Sequence, residues 1–153
     1  MKVFFAGIIQ GSCQGKNIYS QDYRDKIKSV LIEKYPDLEI IDPLENHNNS
    51  IDYNDEQARK TFFAHLELIN SSDLMIAYLP QASMGTAVEM RQAEQNNVPV
   101  LTISPMTTNW IIRLLAVKNF ETVEDFEKFI HKNDLLELVE SIKKQTVKIE
   151  ECG

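Results

Sequence analysis

The chain has 153 residues, 43% hydrophobic and 25% charged. These are globular values, and they exclude a wholly disordered polymer. It reads as a single domain over residues 1–153, long enough to bury roughly 68–70% of its unfolded surface without a metal or disulfide to hold its core. Sixteen Lys and Arg against 23 Asp and Glu give a net charge of −7, which excludes a broad cationic surface for polymeric nucleic acid.

In chain order, residues 3–9 form an apolar run rich in β-branched and aromatic side chains, which predicts a buried strand. The run is too short for a membrane span and has no cleavage pattern, so a soluble, cytoplasmic protein is expected. Cys13 and Cys152 then read as reduced thiols. Ser20 is a candidate N-cap for a helix carrying Tyr23, Ile27, Val30 and Leu31 on one stripe, ended by Pro36. Residues 38–41 predict a second strand, stopped by Asp42-Pro43, and the asparagine-rich stretch 45–54 reads as a loop.

Ala58, Phe62, His65, Leu66 and Ile69 mark one face of a second helix. Residues 74–79 are apolar at nearly every position, as in a strand covered on both faces. A third helix over about 84–96, a fourth strand over 98–104, a short helix over 109–117 and a short strand over 118–121 follow. Thr122 caps one further helix, and Asn133 a last one with Leu135, Leu138, Val139 and Ile142 turned to the core.

Strands alternating with helices predict an α/β doubly wound fold, Rossmann-like or flavodoxin-like, with a five-stranded, mostly parallel sheet and helices on both faces. Ligands in such folds sit at the carboxyl ends of the strands, near the switch in strand order. The places to look are residues 7–12, 42–49, 80–89 and 104–109.

The loop Gly7-Ile8-Ile9-Gln10-Gly11 matches neither a dinucleotide fingerprint nor a P-loop. It is either a close-approach loop for a ligand or a plain tight turn. Ser83, Met84 and Gly85 open the third helix, where unpaired N–H groups and the dipole favour an anion. Glu89 follows about one and a half turns later. The dipole is expected to keep it ionised, fit to act as a nucleophile or to stabilise a cationic transition state. The plain alternative is a capped helix with a solvated Glu.

Three stretches together resemble the nucleoside 2-deoxyribosyltransferase family, near the branch of 2-deoxynucleoside 5-phosphate N-hydrolases. They are Val3-Phe4-Phe5-Ala6-Gly7, the segment from Ile69 to Ala77, and Ser83-Met84-Gly85-Thr86-Ala87-Val88-Glu89-Met90. Pro99-Val100-Leu101 fits the next strand, and the likeness spans about residues 2–115. The resemblance implies cleavage or transfer at the N-glycosidic bond of a nucleoside or nucleoside monophosphate. Glu89 would be the nucleophile, with a covalent glycosyl-enzyme as intermediate. The first-strand loop and Ser83 would hold sugar, base or 5-phosphate. Asn109 would reach the phosphate of a neighbouring subunit, so a homodimer with its active sites near the interface is expected.

Two positions depart from the family pattern. Phe4 stands where the family has a tyrosine, and His65 where it has an aspartate. His65 is either the acid for the departing base or a core histidine. Gln10 replaces the arginine of the nucleotide hydrolases, and Arg113 is a candidate substitute or a surface cation. Asp42 either bonds a ribose hydroxyl or simply opens a turn. Trp110 is weighed between base stacking and packing. His47 and His131 show no metal-ligand spacing with the cysteines, and neither a metal nor a cofactor is expected. Phe4 and His65 also leave open a non-catalytic nucleotide-binding module that retains the pocket.

Overall fold

The computed structural model describes residues 1–151, with side chains described through residue 144. Five strands form one sheet: β1 (Lys2–Gly7), β2 (Glu39–Ile41), β3 (Leu74–Tyr78), β4 (Val100–Ile103) and β5 (Lys118–Phe120). Six α-helices accompany them: α1 (Asp22–Lys34), α2 (Asp55–Asn70), α3 (Met84–Gln95), α4 (Trp110–Leu115), α5 (Val123–Lys132) and α6 (Leu135–Glu151). The strand order is β2-β1-β3-β4-β5, and every pairing is parallel. The expectation of a mostly parallel sheet thus becomes a wholly parallel one. The order reverses between β1 and β3, so the crevice belongs at their carboxyl ends.

Alternation along β1 divides the core. Val3 and Phe5 join Leu74, Ile76, Leu101 and Ile103 under Ile27, Leu31, Phe126, Ile130 and Leu135 of α1, α5 and α6. Phe4 and Ala6 join Met75, Ala77 and Val100 under Leu66, Ile69, Met90, Ala93 and Ile112 of α2, α3 and α4. The sheet is therefore covered on both faces, which is why its strands read as continuous apolar runs.

Two expected caps move. The N-cap of α1 is Gln21, not Ser20, and its side chain does not cap the helix. Ser20 lies one residue too early, and its hydroxyl donates to the Asp22 carboxylate at 2.8 Å. At the start of α6 the amide of Leu136 donates to Asp134, while Asn133 bonds back to the Phe129 carbonyl and closes α5. The expected loop 45–54 contains a 3-10 turn, Ser50–Asp52, and ends in a capping box between Asn54 and Gln57. No helix among the described residues is long and apolar enough to cross a membrane. Cys13 is free, and Cys152 lies outside the described residues.

Candidate functional site

A pocket of about 310 Å³ opens at the switch point, near the lower end of the size range of small-molecule sites. The end of β1 and the loop after it supply Gly7, Ile9, Gln10 and Gly11, and α3 with its N-cap supplies Ser83, Met84, Gly85, Thr86 and Glu89. From α2 come Ala58, Thr61, Phe62 and His65, and from the loop after β2 come Pro43, His47, Ser50 and Tyr53. Phe5 and Arg24 form part of the wall. The expected core stripe of α2 thus splits. Leu66 and Ile69 enter the core, whereas Ala58, Phe62 and His65 face the pocket.

Local chemistry fixes the two glycine-dependent turns. A Cβ on Gly7 would collide with the Tyr23 ring and hydroxyl. That ring is held by a hydrogen bond from its hydroxyl to the Ile8 carbonyl (2.9 Å) and by stacking on Tyr78 at 4.1 Å. Gly11 adopts φ +55, a left-handed conformation that suits glycine. The Gln10 amide donates to the Gly15 carbonyl at 2.6 Å and folds the loop on itself. Ser83 caps α3, accepting from the Thr86 amide.

Glu89 sits on the pocket side of α3, partly accessible but hemmed in by protein. Its carboxyl makes no hydrogen bond or ion pair with the described residues. Burial pushes its pKa up to about 7, and the nearby Arg24 cation pulls the other way. The expectation of a carboxylate held firmly ionised by the dipole is therefore corrected: desolvation outweighs it. At neutral pH the group is divided between its acid and its base form.

Arg24 is the charge that the sequence reading missed. It is 4% exposed. Its guanidinium donates to Asp42 (2.7 Å) and Gln21 (2.8 Å), and lies 5.4 Å from the Phe5 ring centroid. Asp42 also pairs with Lys28 at 3.1 Å and accepts from the Leu44 amide. Asp42 is not among the residues that line this pocket. Its carboxylate is fully engaged in anchoring Arg24, away from the pocket lining.

His65 and His47 meet in the pocket lining. Their ring centroids are 5.2 Å apart at 66°, and His47 Nδ1 lies 2.8 Å from the Tyr53 hydroxyl. Burial, with His47 alongside, lowers the pKa of His65 below the ordinary imidazole value. In the sequence His47 lies in the asparagine-rich stretch 45–54 and shows no metal-ligand spacing. Only the fold of residues 43–54 over the pocket brings it to His65.

Most of the expected site residues line the pocket: Gly7, Ile9, Gln10, Gly11, Ser83, Met84, Gly85, His65 and Glu89. Ile8 does not, because it is fully buried in the core under α1. Asn109 is also outside the pocket of its own chain, where its side chain caps α4. Phe4 is buried in the core on the α2–α3 side, and the β1 phenylalanine that lines the pocket is Phe5. Arg113 and Trp110 do not line this pocket, and Trp110 is 75% exposed. No group of three His, Cys, Asp or Glu side chains among the described residues is placed to hold a metal.

No protein-family model and no curated protein matches the chain. Solved structures do. The chain is similar to a 2-deoxyribosyltransferase from Bacillus psychrosaccharolyticus, with 20% identity and a TM-score of 0.66 over 90% of this chain and 96% of that one. The shared property is the fold. A conserved protein from Enterococcus faecalis V583 is 18% identical, with a TM-score of 0.60 over 86% of this chain and 98% of that one. A CMP N-glycosidase from Clostridium botulinum is 16% identical, with a TM-score of 0.50 over 84% and 95%.

Proposed function

We propose that the protein belongs to the nucleoside 2-deoxyribosyltransferase family and cleaves or transfers the N-glycosidic bond of a nucleoside or nucleoside monophosphate. The observation that carries this reading is Glu89, a carboxyl without a hydrogen-bond or ion-pair partner among the described residues, in a pocket at the switch point. A half-buried, unpaired carboxyl costs stability, and such groups concentrate at functional sites. The fold shared with a 2-deoxyribosyltransferase and a CMP N-glycosidase supports it.

In this reading the ionised Glu89 attacks the anomeric carbon as the C–N bond breaks and its electron pair leaves with the base. The positive charge developing on the sugar is stabilised by the same carboxylate. A glycosyl ester forms on Glu89, and water or a second base then displaces it. The Gly7–Gly11 loop and the start of α3 hold the sugar and its 5-substituent. The unpaired carboxyl favours an enzyme over a pocket that only binds.

The test is to incubate the protein with deoxynucleosides and their 5-monophosphates and to weigh the intact protein after brief exposure to a 2-fluoro nucleoside. Free base and one sugar adduct mapping to Glu89 are expected. Tight ligand binding without base release from any substrate would establish the binding module instead.

We also propose that the protein acts as a homodimer. Trp110, Ile111 and Leu114 on α4 and Met84 and Val88 on the neighbouring α3 are exposed apolar side chains, and exposed apolar surface of this kind is what a partner subunit would cover. In this reading Asn109, the N-cap of α4 next to Trp110, is the residue that reaches a neighbour's pocket. Trp110→Glu is expected to convert a dimer to a monomer in sedimentation velocity. A wild-type chain that sediments as a monomer at micromolar concentration would contradict this.

A further inference from the structure

Neither nitrogen of His65 has a hydrogen-bond partner among the described residues, although the ring is half-buried in the pocket wall. His47 faces it at 5.2 Å, and Tyr53 occupies only His47 Nδ1. The two imidazoles therefore bring exchangeable nitrogens to the same end of one cavity. The other charged groups lining it are Glu89 on α3 and Arg24 on α1. Arg24 is tied to Asp42 and Gln21, and Glu89 is assigned to the sugar. The histidines are thus the groups left to serve the departing base.

We propose that His47 and His65 act as one proton-holding pair that protonates the leaving base, with Tyr53 positioning His47. This rests on the glycosidic reading of the pocket. Two imidazolium ions at this distance repel, so a single charge shared by the two rings is the arrangement the geometry favours. As the C–N bond breaks, that proton passes from the imidazolium to a base nitrogen or carbonyl oxygen, and the electron pair of the bond stays with the base. In hydrolysis the neutral pair then takes a proton from the attacking water as its oxygen bonds to the anomeric carbon and Glu89 departs. The sum is one water consumed, one sugar hydroxyl formed and one neutral base released. The substrate class that needs this device is a nucleoside whose base leaves poorly as an anion.

The discriminating measurement compares 2-deoxyinosine and its 5-monophosphate with 7-methyl-2-deoxyguanosine, whose base already carries a positive charge and needs no proton. His47→Gln and His65→Gln are each expected to lower kcat/KM, which reports only the steps through base departure, on the neutral base on the order of 10²-fold or more, the usual contribution of a general acid. On the cationic base the loss should stay within about tenfold. The double variant should lose little more than either single one, because a unit fails when either member is removed. Tyr53→Phe should displace the basic limb of the pH profile for the neutral base and leave the cationic substrate's profile in place. Equal losses on both substrates, or no loss in His47→Gln, would overturn the pair. A wild-type protein that releases neither base would overturn the glycosidic reading itself, and the pair with it.

Discussion

Glu89→Gln is expected to lower turnover by about 10⁴- to 10⁶-fold, the range seen when a catalytic nucleophile is removed, and at the same time to stabilise the fold. The second effect follows from the carboxyl's raised pKa of about 7 against an ordinary 4.5. The folded chain holds this proton more tightly than the unfolded chain, so stability falls as pH rises through that window. The penalty is absent below the unfolded pKa and complete above the folded one. Full development is worth on the order of 3 kcal/mol. The amide keeps the shape and never ionises, so the variant's advantage in urea unfolding should be near zero at pH 4.5 and largest at pH 8. In wild type, kcat/KM on 7-methyl-2-deoxyguanosine, whose base needs no proton from the histidines, should rise with pH through about 7, because only the ionised form attacks. A variant no more stable than wild type at pH 8 would show that Glu89 is well solvated, and the case for a purposefully strained carboxyl would fail.

The parallel sheet was legible because continuous apolar runs alternate with helical stripes, and those patterns are local. Glu89, Ser83 and the β1 loop were legible for a related reason: their position at strand ends follows from topology. What escaped was whatever depended on two distant segments meeting. Arg24 interrupts an otherwise apolar helix face, and its partner Asp42 lies 18 residues on, at the end of another strand. Neither residue alone signals a buried pair. His47 and Tyr53 sit in a stretch whose composition reads only as loop, and their place over α2 is set by the way that loop folds back. Glu89 lines the pocket at the strand ends, but its raised pKa does not follow from the sequence. The helix dipole can be read from sequence, whereas the surrounding desolvation comes from Phe5, Phe62 and other side chains that tertiary structure assembles.

Arg24→Met should carry the second large effect, on stability and chemistry together. It strands the Asp42 carboxylate, whose side chain is 1% exposed, and breaking a buried pair in this way costs about 3–5 kcal/mol. Lys28, still 3.1 Å from Asp42, brings the expected loss toward 3. Adding Asp42→Asn removes the orphaned charge while keeping an acceptor for the Leu44 amide, so the double variant should recover more than half of it. The catalytic consequence separates charge from packing. Arg24 is the cation that opposes the desolvation of Glu89, so Arg24→Met should move the acidic limb of kcat/KM to higher pH. Asp42→Asn alone leaves the guanidinium less neutralised and should move the limb to lower pH. Opposite displacements in two variants that both weaken the fold cannot come from loosened packing, whereas displacements of the same sign would remove Arg24 from the chemistry and leave it only a structural role.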